Sequence, residues 1–244
     1  MKNKVAIVTG GSGGIGSEIS RMLAAEGCKV VINYFNNKEL AENLKLELDN
    51  KNFTCEVFKA DIRSEKDVDA LIDFTFKTYG SIDFIINNAA IVYDKEWNTK
   101  EMVEWENTFR TNVFSIFYII KKAEKFLKES KQGRIVNISS TNATNSYSSF
   151  SMDYDASKAA VISMTKNFSK IFAPNVTVNT VLPGWVNTKM NDSLDKDFIK
   201  NECEKISLKR FAEPKEIASV VKFLCSEDAS YINGAEIVVD GGVI

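Results

Sequence analysis

The sequence predicts an α/β fold, a single domain in which helices cover both faces of one doubly wound parallel sheet. Three observations predict it. Short β-branched runs alternate along the chain with longer stretches of helical period, which is the pattern of repeated βα units. The three prolines all lie between these segments, where a missing N–H does least harm. No linker-like composition, low-complexity tract or clear repeat interrupts residues 1–244, so we expect one domain.

The individual elements follow from local composition and period. The predicted strands are short β-branched runs at 4–9, 29–33, 54–59, 82–87, 134–139, 176–182 and 236–240. The predicted helices carry apolar residues at helical spacing over 15–26, 38–50 and 65–79, with further helical stretches around 113–120 and 217–224. The hydrophobic fraction of 44% is enough to bury a large core between these layers.

The composition excludes several classes of function. The chain has 31 Lys and Arg against 33 Asp and Glu, so its net charge of -2 gives no electrostatic reason to expect a nucleic acid or an anionic membrane as partner. Histidine is absent, which excludes His-ligated zinc, Ser-His-Asp relays and imidazole as a general base. We therefore predict no metal, and acid–base chemistry by Tyr, Lys, Asp, Glu or Cys.

Cysteine usage and apolar run length indicate the compartment. The four cysteines form no CxxC pair, which is typical of reduced thiols in a cytosolic protein. The apolar run at 5–8 is shorter than the roughly 7 to 15 residues of a signal sequence. The run at 113–120 is shorter than the roughly 20 residues of a membrane span. We expect a soluble, cytoplasmic protein.

A glycine-rich loop follows the first predicted strand. Residues 9–16 read Thr-Gly-Gly-Ser-Gly-Gly-Ile-Gly and lead directly into a helical period. Glycines at this place let the backbone turn tightly and approach a pyrophosphate, whose charge is met by the helix N-terminus. The spacing fits two templates, GxGxxG through Gly11, Gly13 and Gly16, or TGxxxGxG through Gly10, Gly14 and Gly16.

Further motifs agree with the second template. They are Asp61 after the third strand, Asn87-Asn88-Ala89-Ala90 after the fourth, Thr111-Asn112-Val113, Ser140, a YxxxK pair of Tyr154 and Lys158, Pro183-Gly184, and Asp240-Gly241-Gly242. With these motifs in this order the chain resembles the short-chain dehydrogenase/reductase family over essentially its whole length. The resemblance implies a Rossmann-like fold and a nicotinamide cofactor.

The resemblance also implies which residues contact the cofactor. They are Gly10, Ser12, Gly14, Ile15, Gly16, Tyr34, Asn36, Asp61, Ile62, Asn88, Ala89, Tyr154, Lys158, Pro183, Gly184, Val186 and Thr188. In relatives the counterpart of Asp61 contacts the adenine, and that of Asn88 packs beside the cofactor. Thr188 has a second interpretation that is compatible with the first, as the N-cap of the segment that follows it.

The end of the second strand bears on the choice between NAD and NADP. An acidic residue there binds the ribose 2′-hydroxyl of NAD and would repel a 2′-phosphate. Here Tyr34 is followed by Phe35 and Asn36, and the stretch from 32 to 38 contains no acid. We therefore predict NADP, with Asn36 and Lys38 as phosphate contacts.

Tyr154 and Lys158 are four residues apart and project from one face of a helix. An ammonium at roughly 4 Å, in an effective dielectric near 20, favours a phenolate by about 4 kcal/mol, or about three pK units. This predicts a lowered pKa for Tyr154. By resemblance, Tyr154 exchanges a proton with the carbonyl oxygen and Lys158 holds the nicotinamide ribose.

Two more polar residues complete the predicted catalytic set. Ser140 would bind the substrate oxygen and stabilise the charge that develops there, although its neighbour Ser139 could compete. By resemblance, counting along the strand from Gly133-Arg134 places the family's catalytic serine at Ser140. Asn112 is a polar residue within an apolar helical stretch, and relatives use its counterpart to order a water that relays protons to the lysine.

The family resemblance gives a substrate prediction with alternatives. The segments 210–218 and 234–242 look most like the 3-oxoacyl-[acyl-carrier-protein] reductase branch, although Asn175 stands where a second carrier-docking cation beside Lys131 would be wanted. A small ketone, a sugar or a sterol alcohol stays an alternative, as does a dinucleotide-binding sensor without turnover. We also expect a homotetramer and a substrate lid at about 185–212, within which 192–205 is charged with interspersed apolar residues.

Overall fold

A computed structural model describes residues 1–191 and 194–243, and in this part of the chain one parallel sheet of seven strands forms. Their spatial order is β3-β2-β1-β4-β5-β6-β7. The strands are β1 Val5–Val8, β2 Lys29–Tyr34, β3 Cys55–Lys59, β4 Phe84–Asn87, β5 Gly133–Ile138, β6 Val176–Pro183 and β7 Glu236–Val239. The predicted doubly wound parallel sheet is confirmed, with strand ends that differ from the predicted ones by a few residues.

Helices cover both faces of the sheet. They are α1 Gly14–Ala25, α2 Lys38–Asn50, α3 Glu65–Tyr79, α4 Met102–Phe109, α5 Ser115–Glu129, α6 Met152–Phe172, α7 Lys196–Lys205 and α8 Pro214–Cys225. One hydrophobic cluster joins the sheet to α1, α2 and α8, and a second joins its other face to α3, α5 and α6. Because strands buried on both faces have no solvated side, β1, β4 and β5 are buried at every position.

The chain reverses its strand order at β1, which lies between β2 and β4. In the register Val8 pairs with both Ile32 and Ile86, so the loops after β1, β2 and β4 emerge side by side. Ligands of open α/β sheets bind in the crevice at such a switch point, outside the carboxyl ends of the strands. This edge of the sheet is therefore where the predicted site residues meet.

The region between β4 and α5 differs from the sequence-based expectation. The predicted helical stretch around 113–120 is interrupted by a π-helical turn at Arg110–Phe114, which separates α4 from α5. Single π turns within helices are rare and often lie at functional sites. Asn112 lies within this turn.

Three of the four cysteines are buried in the fold. Cys28, Cys55 and Cys225 are buried thiols, and burial raises the pKa of Cys28 to about 12 and that of Cys55 to about 11. Such thiols stay protonated and unreactive near neutral pH. Among the described residues, no helix combines the length with the apolar character that crossing a membrane requires.

Candidate active site

The glycine loop between β1 and α1 is shaped by close backbone contacts. A Cβ at Gly16 would lie 2.2 Å from the Gly10 carbonyl oxygen and 2.6 Å from Asn88 Nδ2. Gly14 has a φ of +49°, in the left-handed region that favours glycine. A Cβ at Gly13 would meet no atom of the described chain within 4 Å. Because Gly14 and Gly16 are constrained and Gly13 is open, the geometry favours the TGxxxGxG template.

The N-terminus of α1 fits the pyrophosphate of a dinucleotide. Its N-cap is Gly13, and no side chain from the described residues caps it. The first turn carries no acid, so the backbone N–H groups and the positive end of the helix face the loop without a competing charge. Ser12 precedes this turn and Ile15 lies within it, both partly buried. These backbone N–H groups are suited to a pyrophosphate.

Asn88 and Ala89 brace the glycine loop from the end of β4. Asn88 Nδ2 donates to the Thr9 carbonyl at 2.9 Å and to the Gly10 carbonyl at 3.2 Å. The backbone N–H groups of Asn88 and Ala89 donate to Thr9 Oγ1 at 3.0 and 3.1 Å. In this structure the predicted cofactor residue Asn88 thus holds the shape of the loop.

The part of the crevice between the ends of β1, β2 and β3 contains a residue that sequence reasoning missed. Asn33, just before Tyr34, is 2% exposed; its Oδ1 accepts from the Gly10 N–H at 3.4 Å, and its Nδ2 donates to the Ala60 carbonyl at 3.1 Å. Tyr34 ends β2 and is buried, whereas Asn36 and Lys38 are exposed. Asn33 therefore joins three strand ends, and a polar residue inside a β-branched run was the available signal.

Asp61 is engaged by Arg63, a second residue that sequence reasoning missed. The Arg63 guanidinium binds both Asp61 carboxylate oxygens, with Nη2 at 2.7 Å from Oδ2 and Nε at 2.9 Å from Oδ1. This hydrogen bonding lowers the pKa of Asp61. The guanidinium also lies 5.4 Å from the Phe35 ring centroid. Arg63 thus adds a cation beside the end of β2, and Ile62 between the pair is buried.

Lys158 projects from α6 toward the carboxyl end of β5. Its Nζ donates to the Ile138 carbonyl oxygen at 2.8 Å and lies 5.4 Å from the centroid of the Tyr154 ring. The residue is 2% exposed, and burial lowers the pKa of Lys158 to about 7. The two members of the YxxxK pair are therefore neighbours, and the Lys158 ammonium is bound to the last carbonyl of β5.

The pKa of Tyr154 does not follow the sequence-based expectation. Burial raises it to about 12, with a smaller opposing effect from the Ser140 hydroxyl. The predicted lowering by Lys158 is wrong for this structure because Lys158 is directed to the Ile138 carbonyl and is itself shifted toward its neutral form. Tyr154 is accordingly a protonated phenol, suited to giving a proton to a developing alkoxide.

The two serines after β5 have different partners. Ser139 Oγ donates to the Lys158 carbonyl oxygen at 2.8 Å and so fastens α6 to β5. Ser140 is the N-cap of the turn that follows, and its Oγ accepts from the Asn142 N–H at 3.1 Å. Because Ser139 is committed to the helix backbone and Ser140 acts on the Tyr154 phenol, the geometry favours Ser140 as the substrate-binding hydroxyl.

Asn112 ties the π-helical turn to the loop after β4. Its Nδ2 donates to the Ile91 carbonyl at 2.9 Å and to Ser157 Oγ at 3.0 Å, and its Oδ1 accepts from the Ile91 N–H at 2.9 Å. The side chain is 1% exposed, so these contacts supply the hydrogen bonds that a buried amide requires. Ser157 carries this network to the helix of Tyr154 and Lys158.

The loop after β6 closes over the glycine loop. A Cβ at Gly184 would lie 2.9 Å from Asp240 Cβ, and a Cβ at Gly14 would lie 3.4 Å from Thr188 Cγ2. Val186 is buried and forms a single β-bridge with Ala212. With Pro183 at the end of β6, this segment brings Thr188 beside the N-terminus of α1. The predicted residues of this segment thus share one side of the crevice.

Comparison with known proteins agrees with this geometry. A family model described as Enoyl-(Acyl carrier protein) reductase matches residues 10–244. A 3-oxoacyl-[acyl-carrier-protein] reductase of Staphylococcus epidermidis is 35% identical over 242 residues, covering 99% of each chain. An acetoacetyl-CoA reductase of Allochromatium vinosum is 34% identical over 242 residues, covering 98% of each chain. The chain belongs to the short-chain dehydrogenase/reductase family.

Solved structures of this family have the same fold. A short chain dehydrogenase from Burkholderia cenocepacia J2315 in complex with NADP superimposes with a TM-score of 0.93 at 29% identity, covering 99% of this chain and 98% of that chain. As a member of the short-chain dehydrogenase/reductase family, the protein is a nicotinamide-dependent oxidoreductase acting on CH–OH or carbonyl groups.

The shifted pKa of Lys158 predicts a pH-dependent gain in stability from Lys158→Met. Between pH 7 and about 10.4 the unfolded chain binds the proton that the folded chain has released, so wild-type stability rises with pH over this window. Lys158→Met removes the ammonium and keeps the apolar stem. We expect the variant to be more stable by on the order of 4 kcal/mol at pH 7, with the difference shrinking toward pH 10.

Urea unfolding of the cofactor-free protein from pH 6.5 to 10 measures this difference. Lys170→Met, an exposed position in the last turn of the same helix, is the matched control and should retain the wild-type pH slope. A Lys158→Met variant whose stability parallels the wild type at every pH would contradict the assignment.

Proposed function

We propose that the protein is an NADPH-dependent reductase of 3-oxoacyl thioesters. The observation that carries this proposal is the meeting of Tyr154, Ser140 and Lys158 at the same edge of the sheet as the N-terminus of α1, which no described side chain caps. The substrate class comes from relatives named as 3-oxoacyl-[acyl-carrier-protein] and acetoacetyl-CoA reductases. By their names, both act on a 3-oxo group attached to a thioester, so the shared feature is the acyl group rather than its carrier.

Each catalytic residue has a role that its surroundings support. The bound cofactor supplies the hydride to the carbonyl carbon. Tyr154 gives its phenolic proton to the carbonyl oxygen, and the Ser140 hydroxyl binds that same oxygen as charge develops. Lys158, with a pKa near 7, can return a proton toward Tyr154 near neutral pH. Asn112 binds the Ile91 backbone and the Ser157 hydroxyl, and so keeps the loop after β4 in a fixed position relative to α6, which carries Tyr154 and Lys158.

NADP is the proposed cofactor because the end of β2 lacks an acid and has two basic residues nearby, Lys38 and Arg63, the second of which is paired with Asp61. Lys38 begins α2, and Arg63 lies over Phe35. Asn36, between Phe35 and Lys38 in sequence, is exposed and can donate a hydrogen bond to a 2′-phosphate. The Burkholderia cenocepacia relative in complex with NADP is consistent with this choice.

The substitution Asn36→Asp tests the cofactor preference. A carboxylate there would repel the doubly charged 2′-phosphate, which we expect to weaken NADPH binding by on the order of 1.4 kcal/mol, or about tenfold. We expect the Kd for NADPH to rise about tenfold and that for NADH to stay within about twofold. Asn50→Asp adds the same charge at the far end of α2 and is the control. Equal effects on both cofactors would contradict the assignment.

A lid over the substrate at 185–212 is part of the proposal. The ends of this segment are joined, because the Ala212 N–H donates to the Trp185 carbonyl and the Asn187 N–H donates to the Ala212 carbonyl. Trp185 stacks on Phe211 with ring centroids 5.3 Å apart. Between these ends α7 packs on Trp185, whose indole N–H donates to Glu202 at 3.1 Å and whose ring centroid lies 5.7 Å from that of Phe198, so in this proposal the helix moves together with Trp185. Residues 192 and 193 lie outside the described residues. Hydrogen exchange across α7 that is unchanged by cofactor and substrate would oppose a lid.

A cytoplasmic homotetramer is proposed as the working form. Exposed apolar side chains at Phe114 and Phe117 on the π turn and α5, and at Val238 on the edge strand β7, suit contacts between copies. Size-exclusion chromatography with light scattering tests the proposal. A monomeric mass at micromolar concentration would contradict it.

The direct test compares NADPH and NADH oxidation with an acetoacetyl thioester. Crotonyl thioester is run beside it, because the matching family model describes an enoyl reductase. Rapid NADPH oxidation with acetoacetyl and not crotonyl thioester is the expected result. Turnover of a small ketone, sugar or sterol instead would replace the substrate class, and cofactor binding without any turnover would favour a sensor.

A further inference from the structure

A buried ion pair lies directly beside Tyr154 in sequence and is not part of the site described above. Lys100 Nζ is 2.5 Å from Asp153 Oδ1, and the two side chains are 2% and 0% exposed. Other ion pairs in the described part of the chain keep at least one side chain in contact with solvent, as Lys4 does in its pair with Asp83. The Lys100–Asp153 pair is therefore the most completely desolvated of them.

The pair joins three separate parts of the fold. Lys100 Nζ also donates to the Tyr93 carbonyl oxygen, and Thr108 Oγ1 of α4 donates to Asp153 Oδ2 at 2.6 Å. Asp153 is in the first turn of α6, one residue before Tyr154. The segment 91–100, called the β4–α4 loop here, is thus fastened to α4 and to the helix that carries the phenol.

The opposite end of the β4–α4 loop is fastened to the same site. Asn112 binds both backbone polar groups of Ile91, and the Lys95 N–H donates to the Phe150 carbonyl just before α6 at 3.0 Å. Between these anchors lies Asp94, whose charge acts on Tyr154 to raise its pKa, after burial and the charge of Asp155. The position of the loop therefore affects the environment of the phenol.

Stability alone does not explain such a pair. Removing two charges from water is unfavourable, and apolar residues of similar volume often stabilise a fold as well or better. The pair does provide directional hydrogen bonds. The bonds of its ammonium and carboxylate fix the position of the β4–α4 loop relative to α4 and α6.

We propose that Lys100 and Asp153 are positioning residues. They hold the β4–α4 loop against the first turn of α6 and thereby fix where the substrate lies relative to the Tyr154 phenol. The kinetic part of this inference rests on the proposed function. The structural part does not, because it concerns only how the loop is held.

The double variant Lys100→Met/Asp153→Asn tests the proposal. It removes both charges and keeps similar volumes, so it avoids the unpaired buried charge that either charge-removing single variant would leave. Lys4→Met is the control, since it breaks a partly buried pair at the opposite edge of the sheet, where Asp83 keeps its hydrogen bonds from Ser130 and the Val5 N–H. Both variants are studied as full-length protein with circular dichroism, hydrogen exchange and steady-state kinetics.

We expect the β4–α4 loop amides of the double variant to exchange at least about tenfold faster, with those of β5 unchanged. With a carbonyl substrate, kcat should fall about 10- to 100-fold while the Kd for NADPH stays within about twofold, because only substrate placement is altered. Lys4→Met should keep both the loop exchange and kcat, whatever it does to the melting temperature.

The outcomes separate this proposal from the proposed function. If the wild-type protein oxidises no NADPH with any carbonyl, the proposed function is contradicted. The exchange measurement would still show whether the Lys100–Asp153 pair holds the β4–α4 loop in place. A folded double variant with wild-type loop exchange overturns the positioning role, as does one that keeps wild-type kcat. If the double variant does not fold, Asp153→Glu, which keeps the charge and displaces the carboxylate, should lower kcat and leave the Kd for NADPH unchanged. An unchanged kcat in that variant overturns the role.

Discussion

Tyr154→Phe should lower kcat for carbonyl reduction by about 10²- to 10⁴-fold while leaving the affinity for the nicotinamide cofactor unchanged. The substitution removes one hydroxyl, and general acid catalysis by a placed side chain contributes on that order. The phenol has a raised pKa of about 12, so it is fully protonated at neutral pH and is the proton donor that the variant lacks. Steady-state kinetics and cofactor fluorescence titration give the two quantities separately.

The control for this experiment is a tyrosine far from the site. Tyr231 is fully exposed between α8 and β7, and Tyr231→Phe should retain wild-type kcat. A Tyr154→Phe protein that keeps turnover within tenfold would show that another group gives the proton.

Gly16→Ala should abolish measurable cofactor binding, with a rise in Kd of at least about 100-fold. The added Cβ would stand 2.2 Å from the Gly10 carbonyl oxygen and 2.6 Å from Asn88 Nδ2, so the glycine loop must move away from its present path. Forcing a methyl group into packed backbone also destabilises a fold by about 1 to 3 kcal/mol. Cofactor titration and thermal unfolding measure the two effects.

Gly13→Ala is the control, because it replaces a glycine of the same loop without the steric clash expected at Gly16. Gly13 has an extended backbone with a φ of -138°, and a Cβ there meets no described atom within 4 Å. Its melting temperature should therefore stay close to that of the wild type. If Gly16→Ala binds NADPH as tightly as the wild type, the loop is not the pyrophosphate site.

The sequence predicted most of the fold because the relevant signals are local. Parallel strands buried on both faces are mostly apolar, and covering helices repeat their apolar residues with helical period, so most elements could be recognised within their own segments. The helices α4 and α7 were not predicted. The π-helical turn at Arg110–Phe114 could not be recognised in this way. It inserts one residue into a helical period that its sequence alone does not interrupt, and its amide contacts to Ile91 form only after folding.

The candidate site was predicted as a set of residues and not as a set of contacts. The sequence favoured Ser140 over Ser139 by family resemblance, and only the fold supplies a physical reason, because it directs the Ser139 hydroxyl to the Lys158 carbonyl. Arg63 was missed because its importance comes from lying over Phe35, a residue on another strand end. Asn33 was missed for the same reason, since its partners are on the glycine loop and after β3.

The amino-acid sequence by itself determined the doubly wound architecture, the glycine loop and the YxxxK pair, because each depends on residue types at short separations. Only the tertiary structure decided the electrostatics of the site. Burial of Tyr154 and the binding of Lys158 to the Ile138 carbonyl reverse the pKa shift that their spacing suggests. The Lys100–Asp153 pair likewise joins residues 53 positions apart, and its significance depends on burial, which arises when distant segments pack together.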